Sequence, residues 1–167
     1  DGFLARISSS GTTLLASTFL GSSSFDQSFF VEVDSSQYPY VYGLTEGNFP
    51  VKGNVYSVNN AGQFISKLPP SLDSLIISSR FGKGDGHPDL SPTAFMVDVC
   101  GNIFASGWSS PNLSGNNLAV YSNPDNTSTG LPTTPGAYQT TTNGDDIYII
   151  VLSPDAGALS DLASAYG

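Results

Sequence analysis

The sequence predicts an all-β fold made of short antiparallel strands. The 167 residues include 18 Gly and 11 Pro, with abundant Ser and Thr and few strong helix formers. Apolar and polar residues alternate with a period of two over segments of five to eight residues, which is the pattern of half-buried strands. Clusters of Gly, Pro, Asn and Asp separate these segments and predict turns. A chain of this length is expected to form one ordinary domain.

The alternating segments predict ten strands and no helix. The first two strands are predicted over 2–8 and 13–19. Eight more follow along the chain, over 28–34, 38–44, 63–68, 74–81, 93–99, 102–108, 146–152 and 162–166. Because the strands are short and separated by turns, we expect each one to pair with its sequence neighbour in an antiparallel meander.

The chain repeats itself. The stretches VDSSQYPYVYG (33–43) and VDVCGNIFASG (97–107) both begin with Val-Asp, pass through a turn and end on Gly, at an offset of 97 − 33 = 64 residues. Phe3, Phe64 and Tyr148 mark a second repeated segment, and the last interval is longer because of an insertion. A four-stranded unit that recurs every ~60 residues is slightly longer than the common propeller repeats but belongs to the same class.

The expected architecture is therefore a series of antiparallel four-stranded β-propeller blades, in which each Val-Asp stretch is the innermost hairpin. Residues 1–21 are predicted to give the last two strands of a first blade. A second blade is predicted over 22–82, and a third over 83–167 with an insertion at 109–130. About two and a half blades cannot close, so we expect an incomplete ring. The N-terminus lacks a starting Met and a signal-peptide pattern, so we expect a processed or cut end.

Two segments resemble a known family in detail. LLASTFLG (14–21) and LPTTPGAYQTTTNGDD (131–146), together with the repeated Val-Asp stretch, resemble the SBBP family of bacterial β-propeller repeats. The resemblance covers the chain outside the insertion. It implies seven blades in a large secreted or cell-surface protein, notably of Bacteroidota. The settings it implies are adhesion, gliding motility or type IX secretion.

The charge balance excludes some functions. Five basic residues stand against fourteen acidic ones, for a net charge of −9. A phosphate backbone would be repelled, so nucleic-acid binding is excluded. No apolar run approaches the ~18 residues of a membrane span. Cys100 is the single cysteine, so no intrachain disulfide is expected.

Five residues are candidates for ligand binding. Asp85, His87 and Asp89 lie in the Gly-rich segment GKGDGHPDL, whose alternating acids are a candidate for Ca²⁺ but lack the EF-hand spacing. No metal site or cofactor is therefore predicted. His87 has no recognisable nucleophile or base partner, so no catalytic role is predicted for it. Trp108 and Tyr121 bracket the insertion and are candidates for a sugar or peptide platform, with packing between blades as the alternative for the Trp.

Other acids are interpreted as turn residues. Asp34 and Asp98 precede equivalent turns, where an Asp side chain routinely accepts hydrogen bonds from the backbone of its own turn. Asp145 and Asp146 follow Asn-Gly and predict a further turn. In the alternative interpretation, the loop acids supply the carboxylate pair of a glycosidase, which requires two acids about 5–10 Å apart.

The function predicted from these features is a non-catalytic structural or binding module of a larger secreted or cell-surface protein. The alternative is the propeller domain of a polysaccharide-degrading enzyme. The expected partners are protein, either the same polypeptide or another chain that completes the propeller, and a glycan. In a propeller the long loops 45–62, 82–92 and 109–145 emerge on one face, where we expect any ligand to bind.

Overall fold

A computed structural model describes residues 1–109 and 127–153. Nine strands and no helix occur in these residues, and the strands are β1 (Gly2–Ile7), β2 (Leu14–Leu20), β3 (Asp26–Val33), β4 (Pro39–Thr45), β5 (Gln63–Lys67), β6 (Ile77–Phe81), β7 (Ser91–Val97), β8 (Ile103–Trp108) and β9 (Ile147–Leu152). They form three antiparallel sheets, β1–β2, β3–β4–β5–β6 and β7–β8–β9. The all-β antiparallel prediction is confirmed. The predicted strand 162–166 lies outside the described residues.

Strand β4 is the centre of the fold, because all seven of its residues are buried. Successive side chains of a strand point to opposite faces of its sheet. Tyr40 and Tyr42 therefore face the third sheet, where the Tyr42 ring lies 5.8 Å from that of Phe95. Val41 faces the first sheet. Strand β4 is thus covered on both of its faces.

Two apolar clusters hold the three sheets together. Between the first and second sheets, the Phe49 and Phe64 rings stack with centroids 3.8 Å apart, and Leu4, Ala16 and Leu20 pack against the same cluster. The cluster between the second and third sheets includes residues from both, namely Tyr40, Tyr42, Ile65, Phe81, Phe95, Ile103, Ala105, Ile150 and Leu152. The sheets are consequently stacked face to face in chain order.

The first hairpins of the second and third sheets have the same turn. Asp34 Oδ1 accepts the N–H groups of Ser36 at 2.9 Å and Tyr38 at 3.0 Å. Asp98 Oδ1 likewise accepts two backbone N–H groups, both at 2.8 Å, from Cys100 and Asn102. The interpretation of both acids as turn residues is confirmed. These turns mark one end of the stack, which we call the turn end.

The opposite end, which we call the loop end, holds the long connection 46–62 between β4 and β5. Part of this connection runs beside β6, where Lys52 pairs with Ser78 and the Val58 N–H donates to the Arg80 carbonyl at 2.9 Å. The buried Arg80 side chain donates in turn to the Ala61 carbonyl at 2.9 Å. The connection is thereby fixed to the second sheet.

The repeat provides a matched test of this packing. Phe64 is fully buried, whereas Phe3, at the equivalent place in the first sheet, is 57% exposed. Phe64→Ala is expected to lower the free energy of unfolding by about 3–5 kcal/mol through the cavity it leaves. Phe3→Ala is expected to cost less than about 1 kcal/mol, because an exposed side chain gains little from burial. Urea unfolding at low protein concentration measures both, and equal costs would contradict the stacking order.

Candidate functional site

The loop 82–90 joins β6 to β7 at the loop end. It begins at Gly82, whose φ of 138° is a backbone conformation that other residues rarely adopt. The Gly86 N–H donates to the Asn60 carbonyl at 2.8 Å. A Cβ on Gly62 would lie 2.2 Å from the His87 carbonyl oxygen, so the two backbones touch there. The loops 46–62 and 82–90 therefore form one continuous surface.

A buried ion pair organises this loop. Asp89 is 1% exposed, and its Oδ1 lies 3.0 Å from the Lys83 ammonium. Its Oδ2 accepts the backbone N–H of Lys83 at 2.8 Å. The same ammonium lies 3.0 Å from the exposed Asp85 carboxylate. Lys83 thus connects the two acids across the loop.

The protonation behaviour of these groups follows their burial and pairing. Burial raises the pKa of Asp89, and its hydrogen bonds and ion pair with Lys83 oppose that effect only in part. Burial would lower the pKa of Lys83, but the hydrogen bonds and charges of the two acids raise it overall. Burial would raise the pKa of Asp85, yet Lys83 lowers it overall. The lysine therefore remains charged between its two acids.

A buried glutamine completes the anchoring of Asp89. Gln63 is the first residue of β5, and its amide is oriented so that its oxygen accepts the backbone N–H groups of Asp89 at 2.7 Å and Leu90 at 2.9 Å. Its NH₂ group donates to the Phe81 carbonyl at 3.0 Å. The loop is thus bound to the second sheet through the Gln63 side chain of β5, which the Phe81 carbonyl of β6 holds in place.

The five candidate binding residues do not form one cluster in the described residues. Asp85 and His87 are exposed on the loop, with the His87 N–H donating to Asp85 Oδ1 at 3.3 Å. Asp89 is buried beneath them. Trp108 ends β8 opposite Ser91 and is half-buried on the far side of the third sheet. Tyr121 lies outside the described residues.

The turn predicted before β9 is present. Gly144 has a φ of 97°, and the Asp145 N–H donates to Asn143 Oδ1 at 3.1 Å. Thr142 donates its hydroxyl to the Asp146 carboxylate. Beyond this turn, the Asp146 N–H donates to the Ser128 hydroxyl at 3.4 Å, and its carbonyl accepts the Ser109 N–H at 3.3 Å.

Sequence reasoning missed two residues at this end. Lys83 was not singled out, although it stands within the acidic segment that it neutralises. Asp26 was also missed. It is 4% exposed and accepts the Ser22 N–H just after Gly21, as Asp89 accepts the Lys83 N–H just after Gly82. The available signal was a Gly directly after the last strand of one sheet, followed five or seven residues later by an Asp at or near the start of the next.

A groove of about 420 Å³ lies at the turn end, between the two hairpin turns. Its cation is Lys67, whose ammonium lies 3.4 Å from Asp34 Oδ2 and 4.7 Å from the centre of the Tyr40 ring. A second ring, that of Tyr38, lies 4.9 Å from the same ammonium. This cation is thus balanced by a carboxylate and by two aromatic faces of the same sheet.

Within residues 1–109 and 127–153, no group of three or more His, Cys, Asp or Glu side chains is arranged to hold a metal ion. A helix long and apolar enough to cross a membrane is also not found in that part of the chain. No model of a known protein family matches the sequence, and no curated protein is significantly similar to it.

The ion pair of the loop can be tested by double substitution. Lys83→Met leaves the Asp89 charge buried without its cation, which is expected to lower the free energy of unfolding by about 3 kcal/mol. Adding Asp89→Asn removes that charge and keeps a side-chain oxygen that accepts the backbone N–H at position 83. Stability is therefore expected to recover in part. Urea unfolding of the single and double variants measures this. A double variant less stable than Lys83→Met would contradict the assignment.

We expect the hydrogen bonds and ion pair of Asp34 to make the protein less stable in acid. Partial burial would raise the pKa of Asp34, but the N–H groups of Tyr38 and Ser36 and the Lys67 ammonium lower it overall. Its contribution is therefore present above the unfolded value of about 3.9 and is lost as the pH falls through the folded pKa. Asp34→Asn is expected to be less stable at neutral pH and to lose less stability below about pH 4. Urea midpoints measured against pH test this, with exposed Glu32→Gln as the charge-matched control.

Proposed function

We propose that the chain is a non-catalytic structural and binding module, formed by β-propeller blades of the SBBP type in a larger secreted or cell-surface bacterial protein. The observation that carries this proposal is the stacking of sheets. The second sheet is covered on one face by the first sheet and on the other by the third. A repeated unit that buries its faces only against its neighbours is typical of repeat architectures.

The two outer faces of the stack support this proposal. The face of the first sheet that points away from the second, which we call the leading face, carries Phe3, Leu15 and Phe19, the last 73% exposed. The outer face of the third sheet, which we call the trailing face, carries Ile147 and Ile149, at 71% and 68% exposure. Apolar side chains in this density on a sheet face are typical of a packing surface.

The polar contacts at the loop end support a structural role for its acids. A glycosidase needs two carboxylates that reach the sugar from opposite sides. Asp89 is buried, and Asp85 is paired with the same lysine. Asp146 accepts a hydroxyl from its own turn. These acids serve to hold loops on the sheets, and the exposed Asp85 and His87 are the residues that we assign to ligand or glycan contact at this end.

A tandem fusion tests the structural role. Two copies of the chain are joined through a flexible Gly/Ser linker of about 20 residues, which spans about 25 Å on average. The one junction added between the copies is expected to stabilise the fusion, because burying one large apolar side chain contributes about 1.5–3 kcal/mol. The midpoint of urea unfolding is therefore expected to be higher for the fusion than for the single chain.

The repeat supplies an internal control for this experiment. Phe19→Glu in the second copy places a charge at the junction and is expected to abolish the gain. The same substitution in the first copy lies on a free leading face and is expected to leave the gain intact. A fusion no more stable than the single chain would overturn the proposed function.

A further inference from the structure

The leading face is built around a cross-strand aromatic pair. Phe3 of β1 and Phe19 of β2 are directly opposite in register, with ring centroids 5.7 Å apart. The residues next to them, Leu4 and Leu20, point the other way into the cluster shared with the second sheet. The two-stranded sheet is therefore apolar on both faces, although only one of them has a partner in the described residues.

The second sheet shows what covers such a face. Phe64 of β5 occupies the place that Phe3 has in β1, and it is fully buried between the first and second sheets. It stacks there on Phe49, beside Val41. The leading face of the second sheet thus packs on the side of the first sheet that carries Leu4 and Leu20. That side is the trailing face of the first sheet.

The third sheet presents the complementary surface. Ile150 and Leu152 of β9 point into the cluster shared with the second sheet, so Ile147 and Ile149 point outward. Met96 of β7 is also 52% exposed. In the second sheet, the trailing face carries Tyr42 and Ile65, which pack on the third sheet. Among the described residues, the first sheet therefore has an uncovered leading face and the third sheet an uncovered trailing face.

We propose that the leading face of one copy docks on the trailing face of a second copy, head to tail. This inference rests on the proposed function, because it extends the internal junction to a contact between molecules. The internal junctions both join a leading face to a trailing face, and neither joins two like faces. The contact is heterologous and leaves one leading and one trailing face free, so it adds further copies until a ring closes.

The charge of the chain sets the salt dependence of this contact. Each copy carries a net charge of −9, so copies repel one another at low ionic strength. In about 1 M NaCl the screening length falls to about 3 Å, while burial of apolar surface is retained. Association is therefore expected to strengthen as salt is added. A contact made of ion pairs would weaken instead.

Two complementary variants test the contact and its direction. Phe19→Glu disables the leading face and Ile149→Glu disables the trailing face. Both residues are exposed, so each variant is expected to keep the circular dichroism spectrum and urea midpoint of the wild type. Thr12→Glu adds the same charge in the exposed β1–β2 turn and serves as the control. Sedimentation velocity over a concentration series in about 1 M NaCl measures the size of each species.

Head-to-tail docking gives a specific pattern of results. The wild type and Thr12→Glu are expected to form species that grow with concentration. Phe19→Glu and Ile149→Glu are each expected to stay monomeric alone and to form a one-to-one dimer when mixed, because one intact leading face then meets one intact trailing face. A mixture that stays monomeric overturns the inference, and so does self-association of either variant alone. If the tandem fusion is stabilised while the mixture stays monomeric, the proposed function stands and only this inference fails.

Discussion

The structure depends on the burial of β4 from both sides. Its residues form a nearly continuous apolar run, which is typical of a strand covered on both faces rather than on one. On one face, the centre of the Tyr42 ring lies 5.7 Å from that of Phe81 and 5.8 Å from that of Phe95. On the other face, Val41 points to the first sheet. Since neither neighbour alone can cover both faces, the stability of the second sheet requires the first and the third.

Buried carboxylates fix the connections between successive sheets. Asp26 is the first residue of β3 and Asp89 lies two residues before β7, and each binds the backbone shortly after the last strand of the previous sheet. A buried charge is costly unless hydrogen bonds and a countercharge satisfy it. At Asp89 the countercharge is Lys83, at 3.0 Å. Near Asp26, the countercharge is the guanidinium of the buried Arg80. The acidic loops are thus part of the scaffold that joins one sheet to the next.

Much of the fold could be predicted from the sequence because its causes are local. Period-two alternation and turn residues predicted all nine strands of the described residues, with bounds close to the observed ones. The repeated Val-Asp stretch predicted equivalent turns, since an Asp side chain satisfies the backbone within four residues of itself. The loop contacts could not be predicted in the same way. Lys83 lies within two residues of Asp85, yet nothing local indicates that Asp89 is buried or that Gln63 caps the loop from another strand.

The sequence by itself therefore determined the all-β class, the order and approximate bounds of the strands, and the Asp turns. Each of these follows from the backbone preferences of short segments. Only the tertiary structure decided which face of each sheet is covered, that Asp89 is enclosed while Asp85 remains exposed, and that Phe64 is buried while its counterpart Phe3 is not. These outcomes depend on which sheet lies next to which. Similar local patterns at Phe3 and Phe64 cannot distinguish a face that has a neighbour from one that lacks it.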